Sequence, residues 1–185
     1  HEILEFLWQI PLFVTKLNTP PSPFSSPVEM RPFRLAKKVA AGADFIQTQM
    51  IFDMELFKKY MKKVVELGLH EKVSILAGLG PLKSTPMARF LQNEVPGIEV
   101  PVHLLERMDA AVRGIDKEDK EARRDAWRAE GIKLCIEQIQ EVREIEGVAG
   151  VHIMAIEWEA AIKPIVEGAG LLPRPIIDSS LSSVG

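Results

Sequence analysis

Three times along this chain a segment with helical spacing of apolar side chains ends at a glycine, and a short extended run follows within a few residues. Residues 34–41 lead through Gly42 to the extended run 44–49. Residues 54–67 lead through Gly68 to Val73, Ser74, Ile75, Leu76 and Ala77, and residues 132–145 lead through Gly147 to the run 151–156. Strands separated by helices pair in parallel through crossover connections, so this order predicts an α/β fold built on a parallel sheet. Several of the runs are apolar on both faces, as strands covered on two sides are. An all-helical bundle does not account for the pattern.

The intervening segments fit that frame. Leu12, Phe13 and Val14 form a further candidate strand, and from Pro20 to Pro32 five of the thirteen prolines make a restrained connection. In the second helix Leu56, Phe57, Tyr60, Met61, Val64 and Val65 share helical spacing. A loop is expected from Gly78 through GLGPLKSTPM, with Ser84 or Thr85 capping a short helix that carries Met87, Phe90 and Leu91. Val95, Pro96 and Gly97 break the pattern. A short helix over 101–111 and an exposed, charge-rich stretch over 116–128 precede a long helix with Ile132, Cys135, Ile136, Ile139, Val142 and Ile145 on one side. A last helix over 158–167 ends at Gly168 and Gly170. Four visible strands are too few to close an eight-stranded barrel.

Composition narrows the function classes. With 46% apolar residues among 185, the chain can bury one sizeable core, and 23 Lys and Arg against 26 Asp and Glu leave a net charge of -3. No basic half favours nucleic acid as a partner. The single cysteine, Cys135, supplies neither a disulfide framework nor a cysteine-rich metal site, which fits a reducing, cytoplasmic setting. The opening HEILEFLWQIPLFV is shorter than the roughly 20 apolar residues that span a bilayer and lacks the basic leader of a secretory signal, so membrane insertion is not expected. It also lacks an initiating methionine, as a processed start or a fragment would.

The stretch AGADFIQTQMIFD, from Ala41 to Asp53, poses a specific question, because an apolar strand finishes in Gln47, Thr48 and Gln49. A buried glutamine without partners costs roughly 1–3 kcal/mol, so a ligand or a structural bond must satisfy each amide. Gln49 is the more terminal. Carboxyl ends of parallel strands are where loops gather ligand sites, and an amide there can donate to and accept from a planar heterocycle; a structural bond is the alternative. Gln47 is expected to satisfy local backbone.

Arg31, Arg34, Lys37 and Lys38 form a cationic series in which 34, 37 and 38 share a helical face able to contact a phosphate, or simply a solvated face. Gly78 and Gly80 do not have the spacing of a nucleotide-binding loop. His152 is placed at the start of its strand, away from the loop-bearing end, and reads as a packed, tautomer-fixed residue. Glu157 and Glu159 are nearer that end, and Trp158 reads as an anchor for the last helix or a stacking surface. Histidines at 1, 70, 103 and 152 lack metal-ligand spacing, and Ser74 and Ser84 lack the context of an activated nucleophile.

Together, AGADFIQTQMIFD, RLAKKVAAGADF, ILAGLGPLKS and VAGVHIMAIEWE resemble the methylenetetrahydrofolate reductase family, and more narrowly its bacterial acetogenic members, over roughly residues 12–175. The resemblance implies the later, parallel-strand half of a TIM-type (β/α)8 barrel, incomplete as an isolated chain. Residues 1–30 would be a terminal segment with a first strand and a proline-rich connection, 31–175 the half-barrel, and 176–185 a tail. It further implies FAD or FMN as cofactor, NAD(P)H or an electron-transfer partner as electron source, and conversion of 5,10-methylenetetrahydrofolate to 5-methyltetrahydrofolate. By this likeness Gln49 matches a glutamine that recognises the folate ring, and Lys37 and Lys38 match a basic pair beside the flavin's ribityl and phosphate portion. Arg31 and Arg34 stand where better-known members have acidic and amide residues, which implies altered cofactor contacts, with Arg34 among them, or a different local fold. Thr85 replaces a folate-stacking aromatic residue. The family's principal acids come near its first and fourth strands, so no catalytic residue is assigned. The missing barrel half or another reductase subunit is the implied partner, and a non-catalytic subunit or inactive fragment is the alternative.

Overall fold

Pro32 fixes φ in a first helical turn, where its missing N–H is not needed, and α1 (Arg31–Ala40) begins there in the computed structural model, which describes residues 30–95 and 97–173. β1 (Phe45–Met50) follows, then α2 (Met54–Glu66), β2 (Ser74–Leu79), α3 (Thr85–Glu94), α4 (Val102–Ala111), α5 (Lys120–Arg143), β3 (Gly150–Ile153), a 3-10 turn (Glu159–Ala161) and α6 (Ile162–Gly168). The candidate strand at 12–14 and the tail at 176–185 lie outside the described residues. Short polar side chains set the helix starts. Asp53 accepts the Leu56 amide at 2.8 Å, Ser84 accepts that of Met87 at 3.2 Å and Asp119 accepts that of Ala122 at 3.0 Å. Of the two capping candidates, Ser84 is the cap and Thr85 is the first helical residue.

The three strands pair in parallel in the order β1-β2-β3, with Ile46 beside Ile75, Gln47 beside Leu76, Leu76 beside Gly150 and Gly78 beside His152. Ile46, Ile75, Ala77 and Leu79 lie in one buried cluster with Leu35 of α1, Phe57, Met61 and Val64 of α2, Cys135, Ile139 and Val142 of α5 and Ile165 of α6. Each such fully buried aliphatic or aromatic side chain contributes about 1.5–3 kcal/mol. The opposite sheet face carries Phe45, Gln47, Leu76 and His152, all partly exposed. Among the described residues the sheet is therefore a helix-flanked parallel arc with two edges, an open portion of a (β/α) barrel. The expected α/β class and parallel pairing are what these residues form.

A second cluster sits past the strands' carboxyl ends, where Met50, Phe52 and Leu82 meet Ala88 and Leu91 of α3, Leu104, Leu105 and Met108 of α4, and Leu134 of α5. Polar ties register these helices. Arg107 of α4 donates to Glu130 at 2.7 Å and to Glu137 at 2.6 and 3.1 Å on α5, and Trp127 Nε1 donates to the Met108 carbonyl at 3.0 Å. The buried Gln138 amide donates to the Phe52 carbonyl at 3.3 Å, fastening α5 to the end of β1.

Three expectations change. β2 does not stop before Gly78 but runs through Gly78 and Leu79, both buried. The charged stretch from Lys120 belongs to α5 itself rather than to a segment before it; lacking an apolar stripe there, it does not show as helix by periodicity. His152 is third of four residues in β3, beside Gly78, in the carboxyl half of the sheet.

Candidate functional site at the carboxyl ends of the strands

The glutamine-rich end of β1 contains an irregularity in the ladder. Gln47 pairs with Leu76, but the next pair is Met50 with Gly78, so β1 advances three residues while β2 advances two. This is a β-bulge, and it lies at Thr48 and Gln49. The buried Thr48 hydroxyl holds it, accepting the Gly78 amide at 2.8 Å and donating to the Gln49 carbonyl at 2.9 Å. Gly78 is required by that approach: a Cβ there would meet the Thr48 carbonyl oxygen at 2.5 Å, Met154 Cε at 2.7 Å and the Gln49 carbonyl oxygen at 2.9 Å.

Both glutamines lie half-exposed while Ile46, Thr48 and Met50 are buried. Their bonding inverts the sequence expectation. Gln49 is the one that satisfies local backbone, its Oε1 accepting the Met50 amide at 3.3 Å, while its Nε2 has no hydrogen-bond partner among the described residues. Gln47 instead reaches across β2, its Nε2 lying 3.5 Å from His152 Nδ1. The contact is possible because the residue beside His152 on the intervening strand is Gly78, without a side chain. Burial holds the His152 pKa below its ordinary value, so the ring is neutral.

On α1, Arg34 and Lys37 are exposed and Lys38 is partly buried. Burial, followed by the nearby Arg34 charge, lowers the Lys38 pKa. Lys37 and Lys38 occupy the last turn, where cations also oppose the negative end of the helix dipole. Arg31 departs from the expected solvated face: it is buried and lines a small pocket with Met50, Asp53, Phe57, Tyr60 and Glu99. That contact puts the start of α1 at the carboxyl end of β1, so Arg34 stands about 6 Å nearer the strand ends than Lys38. The two lysines and Gln49 therefore occupy different levels of the fold.

The loops after β2 and β3 complete this end. Thr85 is buried, with its hydroxyl sealed from solvent and unpartnered among the described residues. Lys83 Nζ donates to the Glu157 carbonyl at 3.3 Å, and Glu157 adopts φ +52, a left-handed conformation uncommon for a residue with a side chain. Trp158 packs on the main core beneath the Arg128 guanidinium, whose Cζ is 5.3 Å from the ring centroid. Lys83, Arg128 and Gly78 carry no motif that singles them out in the sequence. Burial pushes the Cys135 thiol up to about 12, so it is a core residue and not a nucleophile at neutral pH. Among the described residues no helix is long and apolar enough to cross a membrane.

Comparison with known proteins supplies a family. The family described as Methylenetetrahydrofolate reductase matches residues 22–170. Methylenetetrahydrofolate reductase 2 of Saccharomyces cerevisiae is 33% identical over 140 residues, covering 75% of this chain and 21% of the yeast protein. Methylenetetrahydrofolate reductase 1 of Schizosaccharomyces pombe is 29% identical over 150 residues, 79% of this chain and 23% of that protein. The chain thus spans about a fifth of the length of these relatives. A solved structure described as an uncharacterized protein from Clostridium thermocellum that binds two copies of 5-methyl-5,6,7,8-tetrahydrofolic acid aligns with a TM-score of 0.48 at 16% identity, over 76% of this chain and 47% of that one.

Proposed function

Since the chain belongs to the methylenetetrahydrofolate reductase family, we propose that it is the folate-facing part of a flavin-dependent reductase that converts 5,10-methylenetetrahydrofolate to 5-methyltetrahydrofolate. The observation that carries this reading is the family match over 22–170 together with the bulge that holds Gln49 at a strand's carboxyl end. The narrower likeness to bacterial acetogenic members rests on the motifs alone.

The residues present fit the anionic portion of FAD or FMN. Arg34, Lys37 and Lys38 share one helical face, and a bound phosphate would offset the burial and the Arg34 repulsion that depress the Lys38 pKa. When bound, the flavin supplies the hydride, with NAD(P)H or an electron-transfer partner as its source. The chain's own part is to orient: Gln49 Nε2 donates to the edge of the folate ring, and Thr85, sealed at the start of α3, shapes the wall without stacking on it. By the resemblance the family's acids belong to strands that the described residues do not include, and this reading assigns proton transfer to those strands, from the same protein or from a partner subunit.

The test uses the protein in its native assembly, loaded with flavin. Conversion of methylene- to methyl-tetrahydrofolate is expected, with Gln49→Ala weakening folate affinity about 10-fold through the loss of one hydrogen bond. Joint replacement of Lys37 and Lys38 by alanine is expected to weaken flavin binding. A folded assembly that binds no flavin and reduces no folate would return the chain to a non-catalytic subunit role.

A further inference from the structure

The Gln47–His152 pair is not used by the reading above, and its chemistry is constrained. The nitrogen of the Gln47 amide can only donate, so a hydrogen bond across the 3.5 Å to His152 Nδ1 requires Nδ1 to accept. In a neutral imidazole an accepting Nδ1 places the ring proton on Nε2. Burial favours the neutral ring. Nε2 has no protein partner among the described residues, and it is not among the polar atoms sealed from solvent. His152 therefore presents an N–H donor from the half-exposed sheet face.

Gln49 presents the same kind of group. Its Oε1 accepts the Met50 amide, and its Nε2 has no hydrogen-bond partner among the described residues. His152 lies on the face that also carries Phe45 and Leu76, and Gln49 sits in the bulge of β1, across β2 and its bare Gly78. A pair of N–H donors is complementary to an edge that accepts, such as a ring carbonyl or an unprotonated ring nitrogen. Both a reduced pteridine and an isoalloxazine have such an edge.

We propose that His152, fixed as an Nε2–H donor by Gln47, is a ligand-contacting residue that reads the acceptor edge of a heterocycle together with the Gln49 amide. The proposal rests on the reading of this strand end as a ligand site. It assigns roles to both members of the pair: His152 touches the ligand, and Gln47 is a positioning residue that acts through the tautomer.

The experiment is a 15N measurement of the His152 ring in the native assembly, with separate titrations of 5-methyltetrahydrofolate and of FMN. The expected spectrum has the proton on Nε2, and the ligand that occupies this face shifts the Nε2 signal more than the Nδ1 signal. His152→Phe is expected to weaken that ligand about 10-fold, as loss of one hydrogen bond does. His152→Gln, whose amide nitrogen can stand near the Nε2 position, retains most of the affinity. Gln47→Leu loses affinity and gives a mixed tautomer signal, a change that a merely structural glutamine would not produce. A native Nδ1–H tautomer, or unchanged affinity in a folded His152→Phe protein, would overturn the inference alone. Failure of the native protein to bind either ligand would overturn the folate reading and this inference with it.

Discussion

Gly131, buried in the interior of α5, should become destabilising when replaced by alanine, although the intrinsic preference of a helix points the other way. In an unobstructed helix the change gains about 1 kcal/mol. Here a Cβ at residue 131 would overlap the Leu82 carbonyl oxygen and meet the Leu82 carbonyl carbon at 2.9 Å and nitrogen at 3.3 Å. All three are backbone atoms of the buried loop after β2, so no side chain can swing aside. Relief requires α5 and that loop to part by roughly 1 Å, and such a gap forfeits a quarter to a half of each dispersion contact it opens. The neighbours on that helix face are Leu134, Cys135 and Gln138, the last of which would also strain its bond to the Phe52 carbonyl. Overpacking of this kind costs about 1–3 kcal/mol, and the lost or lengthened bond adds about 1 kcal/mol. Against the gain of about 1 kcal/mol in propensity, the net loss is about 1–3 kcal/mol, or roughly 3–10 °C in melting temperature for a domain of this size. Urea unfolding followed by circular dichroism measures it. Ala129→Gly, at an exposed position of the same helix, calibrates propensity at about 1 kcal/mol. A Gly131→Ala protein as stable as the parent, or more so, would refute the packing argument.

Two further outcomes follow from buried or paired titratable groups. The hydrogen bond from Arg107 holds the Glu137 carboxyl below its ordinary value of 4.5, so its stabilisation is present above that pH and is lost as pH falls through the depressed folded value. Arg107→Met should therefore flatten the acid limb of a stability-against-pH profile, and an unchanged slope below about pH 4.5 would dismiss the pair as a contributor. Cys135, 1% exposed, should react with an aromatic disulfide reagent only as fast as the domain opens. Labelling of the native protein at the rate of a free thiol would contradict its burial.

The fold was legible where local chemistry and the global arrangement agree. Helix, glycine and strand recur because amphipathic spacing, helix-ending glycines and apolar extended runs each act over a few residues, and β1, α2, β2 and β3 occur in the order those signals give, although β2 runs on to Leu79 and β3 stops at Ile153, short of the expected 156. The signals failed where a distant partner decides the outcome. Gly78 reads as punctuation, yet it is a strand residue whose missing side chain admits the backbone of Thr48 and the tip of Met154. The first half of α5 has no apolar stripe to mark it, and its order comes from an aspartate cap and from contacts such as Trp127 with Met108. In the candidate site, Gln49 is singled out by its position at a strand end, while the bond its Oε1 accepts from the Met50 amide sits in a bulge that no local motif encodes. Gln47 and His152 stand 105 positions apart, and only the register of three strands brings them together.

The bulge also bears on how such a protein can change. At Gly78 the backbones of β1 and β2 and the side chain of Met154 beyond β3 close on one another, and at Gly80 the Met154 carbonyl oxygen would lie 2.6 Å from any added Cβ. Substitution at either glycine is therefore a change to two or three segments at once, and few single mutations can enlarge a side chain there without compensation elsewhere. In the loops that follow, the Lys83 and Glu157 side chains are more exposed than the backbone beside them, which at Leu82 is closed on Gly131. Variation in what the site accepts should accumulate in those loops, with the strand ends persisting as a fixed frame through that divergence.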